Sequence, residues 1–235
     1  MNNYKTRAQL KGEVKDLVRG RWSTAVLLYL IPTILMLANA GSGGSRSSSD
    51  YTSATTSFNF TAIVTTAFSS GIIVFLLSLI FLIVSLSATF RGLDWIEDPE
   101  LEFSPIKSNF TYFRSPDWWK LIFIYIINNI FVFLWYLLLI VPGIVKSIAY
   151  SQTFFVYKDL NDRGLADNYS LTDYITRSRQ LMNGNKWRYF VLQLSFIGWF
   201  ILGGITLGIG FFWIFPYYKL TMANFYHDLV ANENN

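Results

Sequence analysis

Long apolar runs recur along this chain, and Lys or Arg bounds them on what would be the same side each time. A spanning helix needs roughly 20 apolar residues to cross about 30 Å of hydrocarbon. Residues 24–40 form one such run, containing Pro32, and residues 71–90 form a second with no charge inside it. Two further runs are too long for one crossing. Residues 121–157 are interrupted only by Pro142-Gly143 and Lys146, and residues 189–226 only by a glycine cluster, Pro216 and Lys219. As one helix, either would extend about 55 Å at about 1.5 Å per residue. Each is therefore expected to fold as two spans joined by a tight turn. The turn signals are Pro142-Gly143 and Gly203-Gly204-Ile205-Thr206-Leu207-Gly208.

Charge supports that division. If both long runs are hairpins, all of the 19 basic residues except Arg46 and Lys146 fall on one side. The excess of Lys and Arg in cytoplasmic segments makes that side the inner one. The expected fold is all-α: a single polytopic membrane bundle over 1–235, six helices as three hairpins, both termini inside. The spans lie at about 22–40, 71–90, 120–141, 143–158, 188–203 and 208–227. A competing form exists at the start, where a basic stretch, an apolar run and Ala38-Asn39-Ala40 resemble a signal peptide. Its leading region is long and contains Glu13 and Asp16, which favours retention.

Only 14% of residues are charged, against about 25% in soluble domains, while 18% are aromatic. The formal charge is +4, but the basic residues flank apolar spans. Anionic lipid headgroups, not nucleic acid, are the expected counter-charge. With no cysteine, thiol chemistry, disulfides and Cys metal sites are excluded.

Three segments read as surface elements. Residues 4–21 place Leu10, Val14, Leu17 and Val18 at helical spacing with six basic residues elsewhere, a basic amphipathic helix for the inner leaflet. Ser104-Pro105 is a helix start, and Phe103, Ile106, Phe110 and Phe113 share one face. Ser170-Leu171-Thr172-Asp173 is a capping-box variant. It is followed by Leu171, Tyr174, Ile175, Ser178 and Met182 on one side, with Arg177 and Arg179 leaving the other side basic. That basic side is a candidate partner surface. Residues 41–57 are a Gly/Ser/Thr spacer. The glycosylation sequons at Asn59, Asn109 and Asn168 are read as chance, since two of them would be cytoplasmic.

The two long hairpins look related. Trp118 and Trp187 start them, and Tyr157-Lys158-Asp159-Leu160 and Tyr226-His227-Asp228-Leu229 end them, each pair 69 residues apart. Duplication of a hairpin accounts for this, and parallel repeats also occur in transporters.

Candidate chemistry is sparse. All 15 acidic residues lie outside the spans or at their ends, which counts against an ion-coupled pump. Lys146 is the one cation inside a span and the candidate functional residue there, although its chain could also snorkel outward. A dyad with Ser147 or Ser151 is conceivable. Asn128-Asn129, Gln152 and Gln193 suit hydrogen bonds across helices, and Gly204 with Gly208 suits close packing. His227 is the only histidine, so no H-E-x-x-H zinc motif exists. No cofactor, metal site or catalytic constellation is expected.

The C-terminal half resembles an uncharacterised family of bacterial integral membrane proteins, catalogued as domain of unknown function 975. The resemblance rests on Val141-Pro142-Gly143-Ile144-Val145-Lys146, the stretch from Arg177 to Trp187, Leu194-Ser195-Phe196-Ile197-Gly198-Trp199, Pro216-Tyr217 and Ala223-Asn224-Phe225-Tyr226. It implies a bacterial cytoplasmic-membrane protein and supplies no substrate or catalytic residue. The function expected is a non-enzymatic accessory that anchors a membrane partner or a second copy of itself. The alternative is a small-solute or lipid transporter.

Overall fold

The computed structural model describes residues 4–42 and 60–233. Eleven α-helices occur among these residues, with no strand. They are α1 (Arg7–Val18), α2 (Trp22–Ser42), α3 (Phe60–Glu97), α4 (Pro105–Ser108), α5 (Trp118–Leu138), α6 (Ile140–Ala149), α7 (Thr153–Asp162), α8 (Leu171–Leu181), α9 (Lys186–Leu194), α10 (Ile197–Ile205) and α11 (Phe211–Glu233). Residues 43–57 of the spacer, with Arg46, and the sequon residue Asn59 lie outside the described residues.

Leu76–Glu97, Trp118–Leu138 and Lys186–Ile205 are each long and apolar enough to cross a membrane. A fourth candidate appears if α1 and α2, which meet at a bend of 103°, are counted as one broken span. The described helices thus define a multi-pass helical bundle with three such helices, or up to four.

The helices pack around α11, which contacts α1, α2, α3, α8 and α10. On one side of it Leu10, Val14, Leu28, Tyr29, Trp95, Leu220 and Phe225 form a core. On the other, Phe90, Leu93, Leu121, Ile124, Tyr157, Tyr174 and Tyr226 form a second. Burial of each such side chain stabilises the fold by about 1.5–3 kcal/mol relative to water, a figure that applies where the alternative is water and not lipid.

Sequence and structure differ at three places. The turn expected at Pro142-Gly143 lies earlier, at Leu139, whose backbone is extended (φ −161°, ψ 144°). Pro142 then sits in the first turn of α6, where its missing N–H would have had no helical partner. Gly143 has a packing role instead: a Cβ there would lie 2.5 Å from Cδ1 of Tyr136, so only glycine lets α6 close onto α5. The second turn falls at residues 206–210, after most of the glycine cluster, and Gly208 adopts φ 92°, which favours glycine. Finally, the apolar face of α1 is covered by protein. Leu10, Val14 and Val18 are buried, and Leu17 packs against the same core.

Helix ends bearing opposite charges meet at one end of the bundle. Lys158 of α7 bonds Asp94 of α3 and Asp162. Arg188 of α9 bonds Asp228 of α11. Lys120 at the start of α5 lies 2.6 Å from Asp167, and Arg177 of α8 lies 2.6 Å from Glu233. The apolar turn at the far end of α5 and α6 is bare, with Leu137, Ile140 and Val141 each 70% exposed. A contiguous face of that kind belongs in hydrocarbon or against a partner.

Candidate functional site

Two helical arms of the bundle are interrupted and a third helix, α2, carries Pro32 inside it, and at each place a polar side chain from another segment satisfies a freed carbonyl. An unpaired buried backbone group costs about 1–3 kcal/mol, so these contacts hold the discontinuities open.

The first is in α2. Pro32 has no N–H, so the carbonyl four residues earlier, that of Leu28, has no helical partner. Asn109, fully buried just after α4, donates its Nδ2 to that oxygen at 3.0 Å. The second separates α6 from α7. Here the Thr153 N–H turns back to the Tyr150 carbonyl, freeing that of Ala149. Ser178 of α8 reaches in from the surface. Its Oγ donates to the Ala149 carbonyl at 2.9 Å and accepts from the Gln152 N–H at 3.1 Å. The third separates α9 from α10. Lys11 of α1 donates to the Ser195 carbonyl at 3.1 Å, and its ammonium lies 3.9 Å above the Phe196 ring. Burial, then the neighbouring Arg7 and Lys15, hold the Lys11 ammonium below its ordinary pKa.

The surface segments are positioned by their own sequence. Thr6 and Gln9 form a capping box at the start of α1. The helix is then fixed along α11: Asn224 Nδ2 donates to the Leu10 carbonyl at 3.1 Å and to Glu13 at 2.8 Å. Arg188 Nη2 donates to the Lys5 carbonyl at 2.8 Å as well as to Asp228. In α8 the Ser170 hydroxyl, and then the Ser170 N–H that donates to the Asp173 carboxylate at 2.8 Å, hold that carboxyl below its ordinary pKa. Tyr174 Oη donates to the Ala166 carbonyl at 2.7 Å. The inward side of α8 is the one expected from its sequence pattern, with Tyr174, Ile175, Ser178 and Met182 buried.

The Lys146 ammonium lies 4.3 Å above the Trp135 ring, across the α5–α6 hairpin. Ser147 Oγ donates to the Ile144 carbonyl and Ser151 Oγ to the Ile148 carbonyl, both at 2.8 Å. No hydrogen bond among the described residues joins either hydroxyl to Lys146. Arg177 is engaged by Glu233, whereas Arg179, two residues on, is exposed and forms no ion pair among the described residues. Asn129 bonds within its own helix, to the Tyr125 carbonyl. Gln152 bonds its neighbour Ser151, and Gln193 lies within reach of Tyr189.

Sequence reasoning missed Asn109 and Lys11. Asn109 lay inside a sequon judged accidental, and the only signal for its role was Pro32, 77 positions earlier. Lys11 was one basic residue among six.

The described residues form an all-helical bundle in which three helices, or up to four, could cross a membrane. Residues 1–165 and 143–233 match the family model described as "Protein of unknown function (DUF975)", and the chain belongs to that family. No curated protein and no solved structure matches it.

Proposed function

We propose that this chain is a six-span protein of the bacterial cytoplasmic membrane, both termini cytoplasmic, that anchors a membrane partner without chemistry of its own. The observation that supports this most is α8. Its inner side is built into the α6–α7 interruption through Ser178, while Thr172, Arg179 and Gln180 face outward and exposed. A helix so fixed presents a preformed polar surface, which lowers the ordering cost of binding. The charged end of the bundle is the cytoplasmic end, by the excess of Lys and Arg there. The broken arm α6–α7 covers residues 140–162, about 34 Å at about 1.5 Å per residue, enough for a crossing.

Purification in mild detergent from the native membrane tests the reading. A stoichiometric protein, or a second copy of the chain, is expected to accompany the wild type and to be lost with Arg179→Glu. Recovery of the chain as a lone monomer would oppose it.

Interrupted helices in repeated hairpins also suit a transporter, which favours a second reading with Lys146 on the pathway. Lys146→Met separates the two. Under the anchoring reading it removes a cation–π contact worth about 0.5–1 kcal/mol, lowering thermal stability slightly and leaving partner recovery intact. Loss of solute or lipid movement at normal membrane abundance would favour transport.

A further inference from the structure

Between the end of α3 and the start of α5 the chain builds a cleft of about 760 Å³ whose lining includes Arg91, Lys107 and Arg114, with the hydroxyls of Ser104 and Thr111. Glu102 is the one carboxylate in that lining. Arg91 pairs with Asp94 at 3.2 Å and has a buried Nε with no partner. Lys107 and Arg114 are exposed and form no ion pair among the described residues.

The segment that carries them is also apolar on its outside. Ile106, Phe110 and Phe113 are exposed, and the two Phe rings lie 6.3 Å apart. It is anchored by Asn109 on the Leu28 carbonyl, and Ser108 Oγ donates to the Ser104 carbonyl within it at 2.9 Å. Its depth is marked on both sides. Arg91 lies near the charged end of the candidate span Leu76–Glu97. Trp118 and Trp119, both exposed, open the next span, and exposed Trp favours the headgroup region.

Cations lining a cleft, with apolar side chains beside them at headgroup depth, match one ligand chemistry. A phosphodiester is held by guanidinium and ammonium donors while its acyl chains lie along Ile106, Phe110 and Phe113. We infer that the Arg91–Lys107–Arg114 cleft binds the headgroup of an anionic phospholipid, so that a lipid secures the segment whose Asn109 caps the Pro32 interruption. This rests on the reading that the charged end of the bundle lies at the membrane surface.

The test uses the full chain in detergent, titrated with short-chain phosphatidylglycerol or phosphatidylcholine and followed by native mass spectrometry. Phosphatidylglycerol is expected to bind at least tenfold more tightly. A basic side chain near an anionic surface contributes about 1 kcal/mol, so K107Q/R114Q is expected to weaken binding about thirtyfold. The control R179Q, in α8, leaves it unchanged. Equal affinity for the two lipids, or no effect of K107Q/R114Q, would overturn the site. Full displacement by millimolar inorganic phosphate would also overturn it, marking a site for a soluble anion. If the double variant unfolds, phosphatidylglycerol against phosphatidylcholine on the wild type still decides the point. Retention in carbonate-washed membranes, scored separately, reports on the membrane reading whichever way the lipid result falls.

Discussion

In the hairpin α5–α7 the first arm is one helix of 21 residues and the second is interrupted at 150–152. In the hairpin α9–α11 the first arm is interrupted at 195–196 and the second continues for 23 residues. The 69-residue repeat aligns α5 with α9–α10 and α6–α7 with α11, so the interruption has changed arms. Its position follows local polarity. Ser151-Gln152 and Ser195 mark the interruptions, where the aligned unbroken positions are Leu220-Thr221 and Ile126. Ser151 and Ser195 donate their hydroxyls to the carbonyls three residues back, a bond that competes with the helix ladder. Each interruption then requires a partner from outside the hairpin, and the partners differ. Ser178 both donates and accepts, whereas Lys11 only donates.

That difference can be broken most forcefully at the charged ends. Lys158 is 3% exposed between two carboxylates, and Asp228 is 2% exposed beside Arg188. Removing Arg188 leaves the buried Asp228 carboxylate uncompensated, a loss of about 3–5 kcal/mol, whereas removing Lys158 leaves Asp94 and Asp162 unpaired where both are partly open to solvent. Arg188→Met is expected to lower the midpoint of thermal unfolding in detergent more than any other change named here, with Lys158→Met second. Arg188→Met also releases residues 4–6, so the amides of α1 exchange faster with solvent, while Lys158→Met leaves them protected.

Ser178→Ala comes next. It strands the Gln152 N–H and the Ala149 carbonyl, for about 2 kcal/mol, and raises hydrogen exchange at residues 150–153. Lys11→Met strands one carbonyl and keeps the apolar stem, so about 1 kcal/mol is expected, with faster exchange confined to 195–199. Equal losses from the two would mean that the bridging and single-donor caps are energetically the same.

The smallest effect is on pH dependence. Burial raises the Glu13 pKa, but hydrogen bonds from Lys5 and Asn224 outweigh it and leave the carboxyl below its ordinary 4.5. A carboxyl held lower in the folded state contributes stability above that ordinary value and loses it as pH falls through the folded one. Acidification from pH 6 to 3 should therefore lower the unfolding midpoint of the wild type more than that of Glu13→Gln. The loosened contact ties α1 to α11.

Much of this was legible in the sequence. Hydropathy pointed to an all-helical chain with helices able to cross a membrane, and the capping residues of α8 were correctly located. The displaced turn at Leu139 was not legible, because Pro142-Gly143 signals a turn equally well when Pro occupies the first turn of the next helix. Nor were the caps at Asn109, Ser178 and Lys11. Each joins residues of different elements, and no local periodicity reports on such pairing. The apolar face of α1 was visible, but whether lipid or α11 would cover it depended on the tertiary fold.

The proposed topology places both ends of each long hairpin on one side of the membrane and both turns on the other. The chain has no cysteine, so single cysteines can be introduced and labelled in intact cells with a membrane-impermeant maleimide. Leu207→Cys, in the second turn and 94% exposed, is predicted to react from outside. Thr172→Cys in α8 is predicted to react only after permeabilisation. Reaction of both positions from the same side would contradict the hairpin topology.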